Sequence, residues 1–296
     1  MEMKENFDKE NKIVSVGMNV GGCCICGPVK NCGSYLPKVL ENIEKIGSLF
    51  NHYCIVIYYD KSDDNSLEIL ENYQKINPKC MVYININKIS KFRTHNLAIA
   101  RNFCLNFVRK NVEKYPYFIM MDFDDVNAKE ININVIAKYL YFNSKINLWD
   151  GLTFNTSPDY YDIWALSINP YCFSYNHFEN NVQNYKIIQR YVTTLLKEAS
   201  KNKLSLVKCI SAFNGFGIYK TSKFLNTYYD GRIRLDLIPR ENLEKHMKVT
   251  NSKKIIYKKY VTVDGRYEDC EHRAFHIMAN KNSGANIYIA PDIVFL

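Results

Sequence analysis

The sequence lacks any run approaching the ~18 consecutive apolar residues of a membrane-spanning helix, so no transmembrane segment is expected. Its opening residues, MEMKENFDKENK, lack the apolar centre of a secretory signal. Without an export signal, the ten cysteines are expected to be reduced thiols and the site of action cytoplasmic. Cys23, Cys24, Cys26 and Cys32 cluster, but no second ligand pair follows at regular spacing. Buried or loop thiols are therefore expected in preference to structural zinc. The chain has no G-x-x-x-x-G-K-[ST] loop, which argues against P-loop chemistry. Its first strand candidate, Ile13 to Val20, leads to Gly21-Gly22-Cys23-Cys24 where a nicotinamide dehydrogenase needs G-x-G-x-x-G. H-E-x-x-H is absent, so zinc hydrolase chemistry has little support. No internal repeat, low-complexity tract or linker interrupts the chain, and a single domain over 1–296 is expected.

What is present suits a globular enzyme. Apolar residues make up 47% of the chain, enough for a buried core. The net charge of +9 favours acidic partners such as nucleotide phosphates, but it is too diffuse to demand nucleic acid. Strands are predicted at Tyr53 to Tyr59, Met81 to Ile86 and Tyr117 to Met121, each near-continuously apolar. Helical spacing covers Tyr35 to Phe50, Ser66 to Ile76 and Thr94 to Lys110. This alternation predicts an α/β fold with a mostly parallel sheet covered on both faces. Further on, Asp150 to Asn155 and Ile287 to Ile289 are strand candidates. Phe178 to Lys201 and Cys270 to Ala279 look helical, and Arg232 to Lys259 is a basic excursion.

Chemistry concentrates where predicted strands end. Tyr117 to Met121 runs into Asp122, Phe123, Asp124 and Asp125. Asp122 and Asp124 project to one side while the chain stays extended. Such acids repel unless a cation or basic groups compensate, and magnesium or manganese shared with phosphate fits. An acidic loop with a helix cap from Asp124 or Asp125 is the plainer alternative. Asp60, at the end of the second apolar strand, can accept a ribose hydroxyl, or its loop simply caps the next helix. Arg101 falls at the edge of a buried helical stripe, a costly place for an unpartnered charge. The aspartates of the next strand, or a donor phosphate, are its candidate partners. Asn214-Gly215-Phe216-Gly217 suits close backbone approach to a ligand, or an ordinary turn. Asp269, Glu271 and His272 lie close together and offer a general base and a metal ligand.

In their order along the chain these motifs resemble GT-A glycosyltransferases. An Asp after the second strand precedes A-R-N on a helix, then a D-x-D strand end, an aromatic-glycine segment, and E-D or C-E-H near the C-terminus. Trp149 to Asn155 and Tyr160 to Leu166 resemble segments of glycosyltransferase-like proteins of large DNA viruses and, more distantly, of fungal capsule mannosyltransferases. The resemblance implies a GT-A (Rossmann-like) fold, with residues 13–127 forming a nucleotide-sugar half and 128–296 an acceptor half. It implies Mn2+ or Mg2+, a UDP- or GDP-sugar donor, and a glycan or protein-linked sugar acceptor. Asp60, Arg93, Arg101 and Asp122 would bind donor; Asp122, Asp124 and His272 would hold metal. Glu271 or Asp269 would stand where inverting relatives keep the base. Tyr161, Trp164 and Phe216 would form an acceptor platform.

Two rivals remain at this level. A sugar nucleotidyltransferase shares the fold and the acidic metal pair, but usually carries a glycine-rich basic first loop. A non-catalytic sugar- or nucleic-acid-binding protein on a degenerate fold draws some support from the basic run Lys253 to Lys259.

Overall fold

The computed structural model describes residues 20–87, 89–173, 181–202, 204–251 and 268–296. The strand expected at Ile13 to Val20 lies outside them except for Val20, and the basic run Lys253 to Lys259 lies wholly outside.

The first described strand is β1 (Gly22–Val29), a stretch to which the sequence pattern had assigned no strand. Its cysteines act as small hydrophobes. Cys23 and Ile25 face one core layer, while Cys24 and Cys26 face the other. Alternation sends their thiols to opposite faces, so the cluster does not converge on a metal. All ten cysteines are free and buried.

Next come α1 (Leu36–Gly47), β2 (His52–Asp60), α2 (Ser66–Ile76), β3 (Cys80–Asn85), α3 (Arg93–Lys110) and β4 (Tyr117–Met121). The strands β3, β2, β1 and β4 pair in parallel. Buried on both faces, they need the near-continuous apolar runs seen in the sequence. The chain continues through α4 (Ile133–Ile146), β5 (Gly151–Asn155), α5 (Asn181–Ser200), β6 (Val207–Cys209) and β7 (Phe216–Lys220). It closes with α6 (Arg240–Thr250), α7 (Glu271–Ser283) and β8 (Ile287–Ile293).

One mixed sheet of eight strands results, in the order β3-β2-β1-β4-β7-β5-β8-β6. β7 runs antiparallel between β4 and β5, β5 and β8 are parallel, and β6 runs antiparallel at the edge. Helices α1, α2 and α4 cover one face, and α3 and α7 the other. The predicted α/β class and the strand-helix alternation of the first half are borne out.

The segment 232–259, expected to be irregular, contains α6 within its described part. Within α6 only His246 is buried, so no apolar stripe announces the helix. Ion pairs one turn apart, Arg240–Glu244 at 2.8 Å and Glu241–Lys245 at 3.5 Å, support it instead.

This topology gathers one edge of the sheet. The carboxyl ends of β2, β4 and β5 lie there, and β7 begins there with Phe216 opposite Met121. Ligands of open α/β sheets bind beyond such strand ends.

Candidate functional site

The turn after β4 is held by backbone bonds. The Asp122 N–H donates to the Gly215 carbonyl at 2.8 Å. Asn127 Nδ2 donates to the carbonyls of Asp122 and Gly215, each at 2.8 Å. Asn42 of α1 donates through Nδ2 to the Asn127 and Lys129 carbonyls at 2.9 and 2.8 Å. Gly215 adopts φ +78°, and a Cβ there would meet Val126 at 3.0 Å, so glycine is required. The aromatic-glycine segment and the D-x-D segment thus form one structure. Asp124 Oδ1 accepts the Val126 N–H at 3.3 Å, the local capping role weighed against metal binding. Burial, reinforced by the Asp122 charge, pushes the Asp124 carboxyl up to about 6.

Arg101 of α3 reaches this turn from beneath. It is 2% exposed. Its Nη2 donates to Asp122 Oδ1 at 2.7 Å and its Nε to Glu271 Oε1 at 2.8 Å. Its guanidinium lies 4.7 Å from the centre of the Phe213 ring. Burial works against the charge, but Asp122 and Glu271 outweigh it and hold the guanidinium protonated. The ion pair considered from sequence is therefore present, and it has two acids rather than one. Asn102, on the opposite face, exchanges side-chain bonds with the Tyr229 backbone, both at 2.8 Å.

The start of α7 separates its acidic residues. Glu271 and His272 line the cavity beyond the strand ends, and Asp269 does not. Asp269 Oδ2 instead accepts Arg273 Nε at 2.9 Å. The same guanidinium donates to the Leu166 and Cys172 carbonyls, each at 3.0 Å. His272 stacks on Phe213 with ring centres 3.6 Å apart. Burial, with Arg101 and His276 nearby, drives its pKa down, so the ring is neutral. Neither of its nitrogens has a hydrogen-bond partner among the described residues, and Nε2 lies 3.7 Å from Glu271 Oε1. His276, one turn on, is committed to Ser211 Oγ at 2.9 Å and the Tyr219 hydroxyl at 3.1 Å.

Two adjoining cavities share Arg93, Leu97, Asp122 and Asp124. The smaller, about 430 Å³, runs past Lys30, Asp60 and Asn96. Asp60 there pairs with Lys30 at 2.8 Å and accepts Asn85 Nδ2 at 3.0 Å. The helix-capping role proposed for its loop falls to Asp64, which accepts the Ser66 N–H at 3.0 Å. The larger, about 570 Å³, is lined by Arg101, Glu271, His272, Tyr161, Trp164 and Phe216. Every sequence-predicted site residue except Asp269 lines one cavity or the other.

The residues present fit a divalent cation. Asp124 is a half-buried carboxyl destabilised by a like charge, and His272 offers unpaired neutral nitrogens. Among the described residues no three Asp, Glu, His or Cys side chains converge as a complete cage. Phosphate oxygens and water would complete the coordination.

The sequence pattern gave no site role to Asp162 or Lys129, both of which line the larger cavity. Asp162 stood in plain view within an aromatic segment. Its only sequence signal was a carboxylate among apolar neighbours.

The model of the family described as "Glycosyl transferase family 2" matches residues 24–201. The chain belongs to glycosyltransferase family 2. The matched span holds most of β1, all of β2 to β5 and α1 to α5, including Asp60, Arg101, Asp122 and Asp124, and the architecture is of the GT-A kind. An uncharacterised glycosyltransferase of Mycoplasma pneumoniae is 31% identical over 99 residues, covering 33% of this chain and 29% of that protein. TarS of S. aureus in complex with UDP-GlcNAc aligns over 93% of this chain and 57% of its own, at 15% identity and a TM-score of 0.44. A mannosyltransferase of Pyrobaculum calidifontis in complex with GDP-Man and Mn2+ covers 76% of this chain and 54% of its own, at 10% identity and a TM-score of 0.40. This family 2 chain spans less than two thirds of the length of each of these proteins. No helix among its described residues is long and apolar enough to cross a membrane.

Proposed function

We propose that this family 2 protein transfers a hexose from a UDP- or GDP-sugar to a hydroxyl of a glycan or protein-linked sugar, with divalent-metal dependence. One observation carries the reading: Asp122 and Asp124 stand on the shared wall of two adjoining cavities. A donor lying along the smaller cavity would present its diphosphate at that wall and its sugar to the larger one. Asp60 would meet the nucleoside, and Arg93 and Arg101 would face the phosphates. Tyr161, Trp164 and Phe216 would contact the acceptor, since aromatic faces suit sugar rings. Asp60, Arg93, Arg101 and Asp122 fall within 13–127, the proposed nucleotide-sugar half, and Tyr161, Trp164 and Phe216 within 128–296, the proposed acceptor half.

Asp122 and Asp124 would hold the cation, with His272 on the wall of the same cavity as a candidate further ligand, and the cation when bound would supply positive charge to the leaving diphosphate. Arg101 fixes Asp122 while leaving its second oxygen available. Leu97, Phe213 and Phe216 wall the cavity with apolar surface, so its charges act at low dielectric. A carboxylate of the larger cavity takes the acceptor proton. Burial of all ten thiols in the free state supports a reducing, cytoplasmic setting.

The test is a thermal-shift panel of UDP, GDP, CMP and their sugars, with manganese or with chelator. A ligand of the folded state raises its apparent stability. The expected result is a shift with UDP or GDP that manganese enlarges. An unchanged melt across the whole panel would overturn the reading.

A further inference from the structure

Both carboxylates that the sequence offered as bases are bonded to guanidinium groups, Glu271 to Arg101 and Asp269 to Arg273. Each therefore has one oxygen already committed to a guanidinium, Glu271 through Oε1 and Asp269 through Oδ2. Asp162 is differently placed. It lines the larger cavity and not the smaller one that holds Asp60. Its Oδ1 accepts the Ala165 N–H at 3.1 Å and its Oδ2 the Asn214 N–H at 3.3 Å. Among the described residues no lysine or arginine pairs with it. Each oxygen retains a lone pair for a ligand.

Its position is fixed relative to the Asp122 strand end. The Asp162 N–H donates to Asn214 Oδ1 at 3.0 Å, and Asn214 Nδ2 donates to the Phe154 carbonyl at 3.0 Å. The next residue, Gly215, accepts the Asp122 N–H at 2.8 Å. Asn214 itself sits at φ 55°, a conformation asparagine tolerates better than most residues. One turn therefore ties the Asp162 carboxylate to the proposed metal-binding wall, on the side away from the nucleoside cavity.

We propose that Asp162 is the general base of this site. It accepts the hydrogen bond of the acceptor hydroxyl. As that oxygen bonds to the anomeric carbon, its proton passes to Asp162. The bond from the anomeric carbon to the β-phosphate oxygen breaks, and its electron pair leaves with the nucleoside diphosphate. The inference rests on the glycosyltransferase reading above. Burial, with the Asp122 and Glu271 charges nearby, pushes the Asp162 carboxyl up to about 6, a suitable strength for a base near neutral pH. The other titratable groups facing it are the Tyr160 and Tyr161 phenols and the Cys270 thiol, none of them cationic.

The experiment compares Asp162→Asn, Asp162→Glu and Glu271→Gln. Nucleotide release from UDP-GlcNAc and from GDP-mannose is followed with manganese, to water and to a panel of simple glycosides, with kcat and KM separated. Asp162→Asn is expected to lose about 10²- to 10⁴-fold in kcat with little change in donor KM. Asp162→Glu, which keeps a carboxylate at altered reach, is expected to retain more activity than the isosteric Asn. A purely structural role predicts the reverse order. Near-normal kcat in Asp162→Asn, or an Asn variant more active than the Glu variant, overturns the assignment. If the wild-type protein releases no nucleotide from either donor, the glycosyltransferase reading fails for these donors, and the assignment falls with it.

Discussion

Arg101 Nε donates to Glu271 Oε1 at 2.8 Å across 170 residues of chain, while Nη2 of the same guanidinium donates to Asp122. A helix under the sheet thereby joins the end of β4 to the start of α7. Arg101→Met leaves two acids facing each other beside Phe213 without their cation. Breaking a buried pair from one side costs about 3–5 kcal/mol, so denaturant unfolding is expected to show a loss of that order. Arg101→Lys keeps the charge but not the two-pronged reach. It is expected to recover part of the stability and little of the donor turnover. Wild-type turnover in Arg101→Lys would show that geometry at this pair is dispensable.

Asp269 and Glu271 are expected to matter in different ways. Asp269→Asn strips the partner from Arg273, which also holds the Leu166 and Cys172 carbonyls. The variant is expected to lose about 3–5 kcal/mol of stability, with turnover of the remaining folded protein largely kept. Glu271→Gln leaves Arg101 its bond to Asp122, so the melt is expected to change less and turnover to fall through a displaced guanidinium. A stable but inactive Asp269→Asn protein would reverse the two roles.

Asp124→Ala removes a carboxyl that supports no core packing. Its melting temperature is expected to hold or rise, while manganese loses its effect on UDP or GDP affinity in calorimetry. An unfolded apo variant would instead make Asp124 a structural cap on the 122–127 turn.

The raised Asp162 pKa has a signature in stability. The folded protein binds this proton more tightly than the unfolded chain, so the contribution is fully present below about 4 and is lost as pH rises through about 6. Asp162→Asn has no such titration. The melting temperature of the variant minus that of wild type is expected to increase between pH 5 and pH 7. A flat difference across that range would mean the carboxyl is not perturbed in the folded state.

Strand ends were legible because buried parallel strands must be apolar throughout, so Asp60 and Asp122 stood out where the runs stopped. Strand β1 was missed because glycine and cysteine carry weak strand signals. Here their small size is what the packing demands: a Cβ on Gly27 would lie 2.0 Å from the Met121 carbonyl oxygen. The division between Asp269 and Glu271 depends on Arg101 and Arg273, which approach from different elements, and spacing along one segment carries no record of that. Asp162 was hidden for a similar reason. Its position depends on Asn214, 52 residues away.

The antiparallel placement of β7 bears on how the cavity is assembled as the chain emerges from the ribosome. β1 to β4 can pair among themselves early, using residues already synthesised. Yet Asp122 waits for the Gly215 carbonyl, Asp162 for Asn214, and Arg101 for Glu271. Closing contacts this distant in sequence is slow, because loop entropy is lost before the contact repays it. Until the C-terminal third arrives, the strand end carries its cluster of acids with an incomplete set of partners. The chemical centre is thus among the last parts of the molecule to be built, although the residues that mark it are among the earlier ones translated.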